Sequence, residues 1–450
     1  MDPDTKIIQD WLKKHQITEV ECTVPDLAGN ARGKFIPANQ FLSMGEPRLP
    51  ESILIQSVTG EYCDDHWDFV TPTDADMILK PDISTMRVVP WAREPTAQII
   101  HDCYMMNEGT PHPLSTRNVL RNILNLYEAD GLRPVVAPEA EFYLVLRNID
   151  PDTELAPPIG RSGRAETSRQ SYSMDAINEF EDFVEDLYAY SEQQHLSLDA
   201  LIHENGAAQM EINFLHGDAM NLADQIFSFK RTVRETAHKH GIYATFMAKP
   251  MQSEPGSAMH IHQSLVRADT GENIFADSSG AHTPELMSYI AGLQTYTPEL
   301  ISLYAPNVNS YRRLAPDIAA PINLNWGYDN RTTAFRVPNS NKAGTRVENR
   351  FPGADANPYL AFAATLASGY LGMKKKLKPS EPHHGTANEE QVEVARTLEE
   401  GLRNLQNTPE LVDMFGSLFL RAYSAVKRDE FEEFNRVISS WEREHLLLQV

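Results

Sequence analysis

Residues 134–146 read PVVAPEAEFYLVL, an apolar run interrupted by two carboxylates placed two positions apart. Valine, phenylalanine and tyrosine at this density favour a β-strand. Alternate side chains of a strand share a face, so Glu139 and Glu141 project together from one side. Two carboxylates entering a core side by side repel one another unless a cation sits between them, and a bound metal is the economical explanation. MHIHQS repeats the spacing and puts His260 and His262 on one face of another strand.

Working outward, HENGAAQMEINF sets Glu204 before a turn and Glu211 in a strand, and RVENRF places Glu348 between Arg346 and Arg350. Oxygen ligands with an occasional imidazole suit Mg²⁺ or Mn²⁺ better than zinc. Taken alone, EAE also fits a strand edge facing water, and HIH a pair of ordinary strand histidines. Their occurrence with an arginine set gives them weight: Arg313 in NSYRRLAPD, Arg331 and Arg336 in DNRTTAFRVP, and Arg346 and Arg350. Guanidinium forks recognise carboxylate and phosphate oxygens. Hard divalent ions beside arginines are what phosphoryl transfer requires. Neither a GxxxxGK[ST] loop nor a GxGxxG in its strand-to-helix setting is present, so a nucleotide would not sit on a P-loop or Rossmann site.

The surrounding chain reads as a mixed α+β protein. A helix over Asp4–His15 leads into β-branched runs, TEVECTV, GKFIPA, ILIQSV and AQIIHDCYM. The break EGTPHPLS marks a boundary, giving a small β-rich unit over 1–110 and a larger α/β unit over 111–450. The larger unit opens with a helix from Ser115 to near Gly131, then a polar, mobile loop over 157–171 and a helix from Tyr172 to Gln194. AAQMEINFL, YATFMAKPM and SAMHIHQSL read as strands, Asn357-Pro358 as the start of a buried helix, and the C-terminus as several helices.

With 63 acidic and 40 basic residues in 450, the net charge of −23 argues against nucleic acid and anionic membranes as partners. No run approaches a membrane span and the start MDPDTKIIQDWLKKH is too polar for a signal peptide, so a cytoplasmic location is expected. Cys22, Cys63 and Cys103 are scattered, which predicts reduced, buried thiols. Lys374, Lys375, Lys376 and Lys378 read as the basic end of a helix.

On five ordered motifs the chain resembles the glutamine synthetase family: APEAEFYL, KPMQSEPGSAMHIHQSL (249–265), NSYRRLAP, RVENRFPGADANPYL and DADMILKPD (74–82). The resemblance runs from about Val20 to the C-terminal helices. It implies a β-grasp N-terminal domain, a larger catalytic domain, and a ring homo-oligomer, a dodecamer of two stacked hexamers, with active sites between neighbouring subunits. It implies two or more Mg²⁺ or Mn²⁺ ions per site, one on Glu141, Glu204 and Glu211, the other on Glu139, His260 and Glu348 and holding the ATP phosphates. It assigns Arg313 and Arg350, with Gly256 beside them, to glutamate. Arg331 and Arg336 fall to the transferred phosphoryl group, and Ser264 and Arg346 to ATP; Arg331 and Arg313 are the catalytic pair. The segment around Asp199 is unassigned.

The implied reaction is phosphorylation of the γ-carboxylate of glutamate by ATP, followed by attack of a nitrogen nucleophile to give an amide. Ammonia-using members carry a flap glutamate six residues after the position of Arg313; here that residue is Ala319, and no DGSS loop lies in the small domain. Losing a carboxylate weakens an ammonium site and leaves room for a larger amine. TGEYCDDHWDF (59–69) supplies Glu61, Asp64, Asp65 and Asp68 among Tyr62, Trp67 and Phe69, which suits an alkyl cation through charge and cation–π contact. The resemblance therefore points to the γ-glutamylpolyamine synthetase branch, acting on putrescine or spermidine in polyamine catabolism, with Asp65 and Trp67 in a neighbour's amine pocket. The alternatives are an ammonia-using glutamine synthetase whose base is another acid, such as Asp317, and a catalytically silent ring protein. KLKPSEPHHG lacks the tyrosine of adenylylated relatives, so that regulation is not expected.

Overall fold

Short β-branched runs build the first sheet: β1 (Glu19–Pro25), β2 (Ala31–Pro37), β3 (Arg48–Pro50), β4 (Asp76–Pro81), β5 (Arg87–Val88) and β6 (Thr96–Met105). The structure is a computed structural model and describes residues 3–106, 108–167, 169–316, 320–388 and 390–450. The order is β2-β1-β6-β4-β3, with β5 also on β6, and β1 runs parallel to β6. Helix Pro3–Lys14 lays Ile8 and Leu12 over Val20, Cys22, Ile36 and Ile99. ILIQSV is not a strand: Glu51–Ile55 is a 3-10 turn. Its first residues are held locally, since Thr71 N–H donates to Glu51 and Ser52 donates N–H and O–H to Asp74. That winding still buries Leu54 and Ile55.

The second sheet comprises β7 (Leu132–Val145), β8 (Leu198–His203), β9 (Gln209–Phe214), β10 (Gly217–Asp218), β11 (Tyr243–Thr245), β12 (Met259–Arg267), β13 (Trp326–Tyr328), β14 (Phe335–Val337) and β15 (Val347–Asn349). Its order is β13-β14-β15-β12-β7-β9-β8, with β10 and β11 on β7. Apart from the parallel pair β13–β14, its pairings are antiparallel. Register decides what meets: Glu139 stands opposite His260, Glu141 opposite Glu211, and Glu348 opposite His262 and Arg336.

Helices Thr116–Ala129, Ala219–Lys239, Pro284–Tyr304 and Pro358–Lys374 pack behind this sheet. Asn357 caps the last, its side chain accepting from Tyr359 N–H. That helix touches Pro284–Tyr304 so closely that a Cβ on Gly292 would lie 2.1 Å from the Ser368 carbonyl oxygen. The expected Tyr172–Gln194 helix is two, Met174–Asn178 and Glu181–Gln193, because Phe180 leaves helical geometry (φ −120°, ψ 31°) as its ring enters the core. Lys374 closes its helix by pairing with Asp130, and Lys375 pairs with Glu410.

Both sheets contribute to one apolar core, in which Val24, Leu79 and Ile100 join Ile123, Phe142 and Tyr359. A polar hub crosses the same junction. The buried Arg117 guanidinium pairs with Asp82, Asp102 and Asp224, drawing on both sheets' surroundings. The three cysteines are free and buried. Among the described residues no helix is long and apolar enough to cross a membrane.

Candidate active site

The centre of β7 delivers Glu139 and Glu141 to one face, as their spacing requires, and β9 and β12 flank it with Glu211 and His260. A cavity of about 340 Å³ opens over this face. Its wall includes Glu139, Glu141, Glu204, Glu211, His260, Gly256, Arg313, Arg331 and Arg350. Ligand atoms of Glu139, His260 and the buried Glu348 gather within 4.8 Å of one another, as do those of Glu141, Glu211 and His260. Five of the six expected metal ligands thus fall into two close clusters sharing His260. Glu204 lines the cavity but belongs to neither cluster.

Burial, with Glu204 close by, pushes the Glu141 carboxyl up to about 8. Burial, then the charges of Glu139, Glu141 and Glu204, raises Glu211 well above the carboxylate range. Carboxyls crowded in this way favour a cation among them. A divalent ion would fill that role, and mostly carboxylate oxygens with one imidazole match Mg²⁺ or Mn²⁺. His260 fits the same picture, because burial and Arg350 lower it to about 4, leaving a neutral ring able to ligate.

On the other side the acids are hydrogen-bonded through both oxygens. Glu348 Oε1 accepts from Arg350 Nη1 at 2.7 Å and Oε2 from Arg336 Nη1 at 2.8 Å. Burial disfavours the charge on Glu139, but bonds from His260 and His262 outweigh it and hold its carboxyl low. Arg346 Nε donates to His262 Nδ1 at 3.2 Å, which leaves His262 Nε2–H to donate to Glu139 Oε1 at 2.9 Å. The chain Arg346–His262–Glu139 therefore orients a cluster carboxylate. The sequence pairs His262 with His260 but gives it no role.

Arg313 is buried, which draws its guanidinium down to about 10. Two of its nitrogens donate to the Phe351 and Arg350 carbonyls at 2.8 and 2.9 Å, which fixes the fork while leaving other N–H groups for a ligand. Gly256 is dictated by space: a Cβ there would lie 2.6 Å from the Ala248 carbonyl oxygen and 2.7 Å from Arg313 Cγ. Gln209, which sequence reading passes over, donates to Glu141 Oε2 at 3.1 Å and to the Gly256 carbonyl at 3.0 Å. Its position two residues before Glu211, on the same strand face, was the available signal.

A second cavity of about 420 Å³ adjoins the first through Glu139 and Asn213. Ser264 and Arg346 line it, together with Asp199. Arg336 does not; it stays with Glu348 and Asp329. The polar loop before residue 172 is tied down: Glu166 accepts from Ala208 N–H at 2.8 Å and pairs with His203, and Ser171 and Tyr172 reach the first cavity. Ala319 and Asp317 lie outside the described residues; Ala320 lines the cavity. Asp65 and Trp67 are exposed and do not reach either cavity within their own chain. Their stretch instead leans on helix Ser417–Asn435, where Val58 N–H donates to Glu430 at 2.8 Å and Arg421 stacks on Phe69.

Paired carboxylate clusters beside a guanidinium set, on a largely antiparallel sheet backed by helices, make a site with the chemistry to take hard cations and anionic substrates together. Residues 113–446 match the glutamine synthetase catalytic domain. The chain belongs to the glutamine synthetase family, a family of carbon–nitrogen ligases. It is 34% identical to the glutamate–isopropylamine ligase of a Pseudomonas species, over 97% of this chain and 96% of that one. It is also 34% identical to the γ-glutamylputrescine synthetase PuuA of Escherichia coli K12, over 98% and 94%. The glutamine synthetase of Pyrococcus horikoshii is 33% identical over 93% and 90%. Two solved structures of GmaS share the fold: the ligand-free form (TM-score 0.83, 26% identity, 97% of this chain and 98% of that chain) and an ADP complex (0.85, 25%, 98% and 99%).

Proposed function

We propose that this chain is an ATP-dependent ligase that activates the γ-carboxylate of glutamate as γ-glutamyl phosphate and joins it to a primary amine, a polyamine such as putrescine or spermidine. The observation that carries the reading is the pair of clusters sharing His260, with Arg313, Arg331 and Arg350 on the same cavity wall. Similarity to two glutamate–amine ligases over nearly the whole chain supports the acceptor class.

On this reading ATP occupies the cavity bearing Ser264 and Arg346, and its terminal phosphate points across Glu139 toward the clusters. Bound Mg²⁺ or Mn²⁺ would neutralise phosphate charge there, held by Glu141, Glu204 and Glu211 and by Glu139, His260 and Glu348. Arg313 and Arg350 orient glutamate against the loop at Gly256, while Arg331 and Arg336 face the phosphoryl group in transfer. The amine attacks the acyl phosphate carbonyl, the carbon–oxygen bond to phosphate breaks, and the ammonium proton leaves to a base. Residues 1–110 act as a β-grasp domain and 111–450 as the catalytic domain of a stacked-ring, cytoplasmic dodecamer. Asp65 and Trp67, exposed in their own chain, serve the amine pocket of a neighbour.

Phosphate release with ATP, Mg²⁺ and glutamate, measured with ammonia and with a panel of mono-, di- and polyamines, tests the proposal. Turnover with polyamines and little with ammonia is expected. Strong activity with ammonia alone would instead favour the glutamine synthetase reading. Substitutions Asp65→Ala and Trp67→Ala should raise KM for the amine; unchanged KM for every amine would remove that stretch from the pocket.

A further inference from the structure

A further cavity, of about 680 Å³, is neither of those above. It lies where the β1–β2 turn, helix Ala219–Lys239, the stretch after β11 and helix Ser417–Asn435 converge. Phe246, Val308, Phe434 and Val437 give it apolar walls. Its charged groups are unequally satisfied. Glu430 takes Lys427 Nζ and Val58 N–H, both at 2.8 Å, and Asp355 Oδ2 takes Asn307 and Ser310 at 2.8 and 2.6 Å, while its buried Oδ1 has no partner among the described residues. Glu433 accepts from Thr59.

The cations are not matched in this way. Lys230, buried, has one polar partner among the described residues, the Ala356 carbonyl at 2.8 Å. One helical turn on, Arg234 flanks the same phenyl ring: Lys230 Nζ and Arg234 Cζ stand 5.5 and 5.4 Å from the Phe246 centroid. Among the described residues, neither they nor Arg312 on the same wall pairs with a carboxylate. Like charges four apart on a helix destabilise it, and a buried ammonium without a counter-charge costs more. Lys230 is drawn down to about 7 by burial and by Arg234, which outweigh the opposing charge of Asp355 on the same wall.

We infer that this cavity is a binding site for a small organic anion, whose acidic group lies between Lys230 and Arg234 and whose apolar body packs on Phe246, Val308 and Phe434. The volume lies within the range of small-molecule pockets. The site is also mechanically close to the active site. Arg312 precedes Arg313 in the chain, and Asn309, on the cavity wall, exchanges two hydrogen bonds with the backbone of Lys249, the start of the loop that carries Gly256. Occupancy is therefore expected to change the KM for glutamate.

The probe is 8-anilinonaphthalene-1-sulfonate, an anion with an apolar body, titrated into the full-length protein and followed by fluorescence. One saturable site per chain is expected, still filled at saturating glutamate or ATP, with the uncharged N-phenyl-1-naphthylamine binding at least tenfold more weakly. Lys230→Met and Arg234→Met should each weaken the sulfonate about tenfold, and Arg234→Lys should retain it. Equal affinity in these variants, displacement by ATP, or absence of a saturable site overturns the inference. Should Lys230→Met fail to fold by circular dichroism, Arg234→Met, at an exposed side chain, decides alone.

Discussion

Arg336 and Glu348 face one another across β14 and β15, with Nη1 2.8 Å from Oε2, while Arg350 holds the other oxygen. One carboxylate thereby sets two guanidinium groups and stands in a candidate metal cluster. Glu348→Gln keeps the shape but removes the charge, leaving Arg350 without this counter-ion and Arg336 with Asp329 alone. Turnover should fall by more than the roughly 10–100-fold typical of outer partners of a metal site, with weaker Mn²⁺ binding by calorimetry.

The Glu141 carboxyl, raised in the fold from its ordinary 4.5 to about 8, gives a pH signature. The folded metal-free protein binds a proton there that the unfolded chain releases, so this contribution to stability is full below pH 4.5 and is lost as pH rises through about 8. A divalent ion removes the need for that proton. The rise in Tm on adding Mn²⁺ over EDTA should therefore be larger at pH 8 than at pH 6; a pH-independent rise would contradict the assignment of Glu141.

Gly256→Ala places a methyl group against the Ala248 carbonyl and Arg313, neither of which has room to withdraw, since Arg313 is pinned by two carbonyls. The loop must shift away from the arginine. KM for glutamate should rise about tenfold or more, the cost of roughly 1.4 kcal/mol, while KM for ATP, in the adjoining cavity, changes little.

His262→Ala breaks the relay from Arg346 to Glu139 without removing a cluster ligand. Mn²⁺ affinity should fall about 10–100-fold, measured by calorimetry on the nucleotide-free protein. His262→Gln, which can still donate to Glu139, should recover part of it.

Arg117→Met would strand Asp224, which is buried, and uncouple Asp82 and Asp102. Removing one partner of a buried pair costs about 3–5 kcal/mol, so chemical denaturation should show a loss of that order.

Much of the site was readable because strand periodicity is simple. The spacing of Glu139 and Glu141, and of His260 and His262, fixes which face each pair occupies, and antiparallel pairing brings those faces together. ILIQSV misleads because β-branched content cannot distinguish a strand from a short turn held by Glu51, Ser52 and their polar partners. The break at Phe180 escapes notice because its apolar spacing still fits one helix. Gln209 offered only its place on the strand face of Glu211, and the Lys230–Arg234 pair offered nothing, because their meaning lies in partners elsewhere in the chain, at Gly256 and Phe246.

The hub at Arg117 carries a consequence for anyone wishing to dissect the protein. Two of its three aspartates, Asp82 and Asp102, come from strands' ends in the first hundred or so residues, and the apolar core runs on across the same seam. A truncated version beginning after residue 110 would expose that seam and leave Arg117 with Asp224 alone of its three aspartates, so the small unit behaves as a keystone of the large one rather than as a detachable accessory.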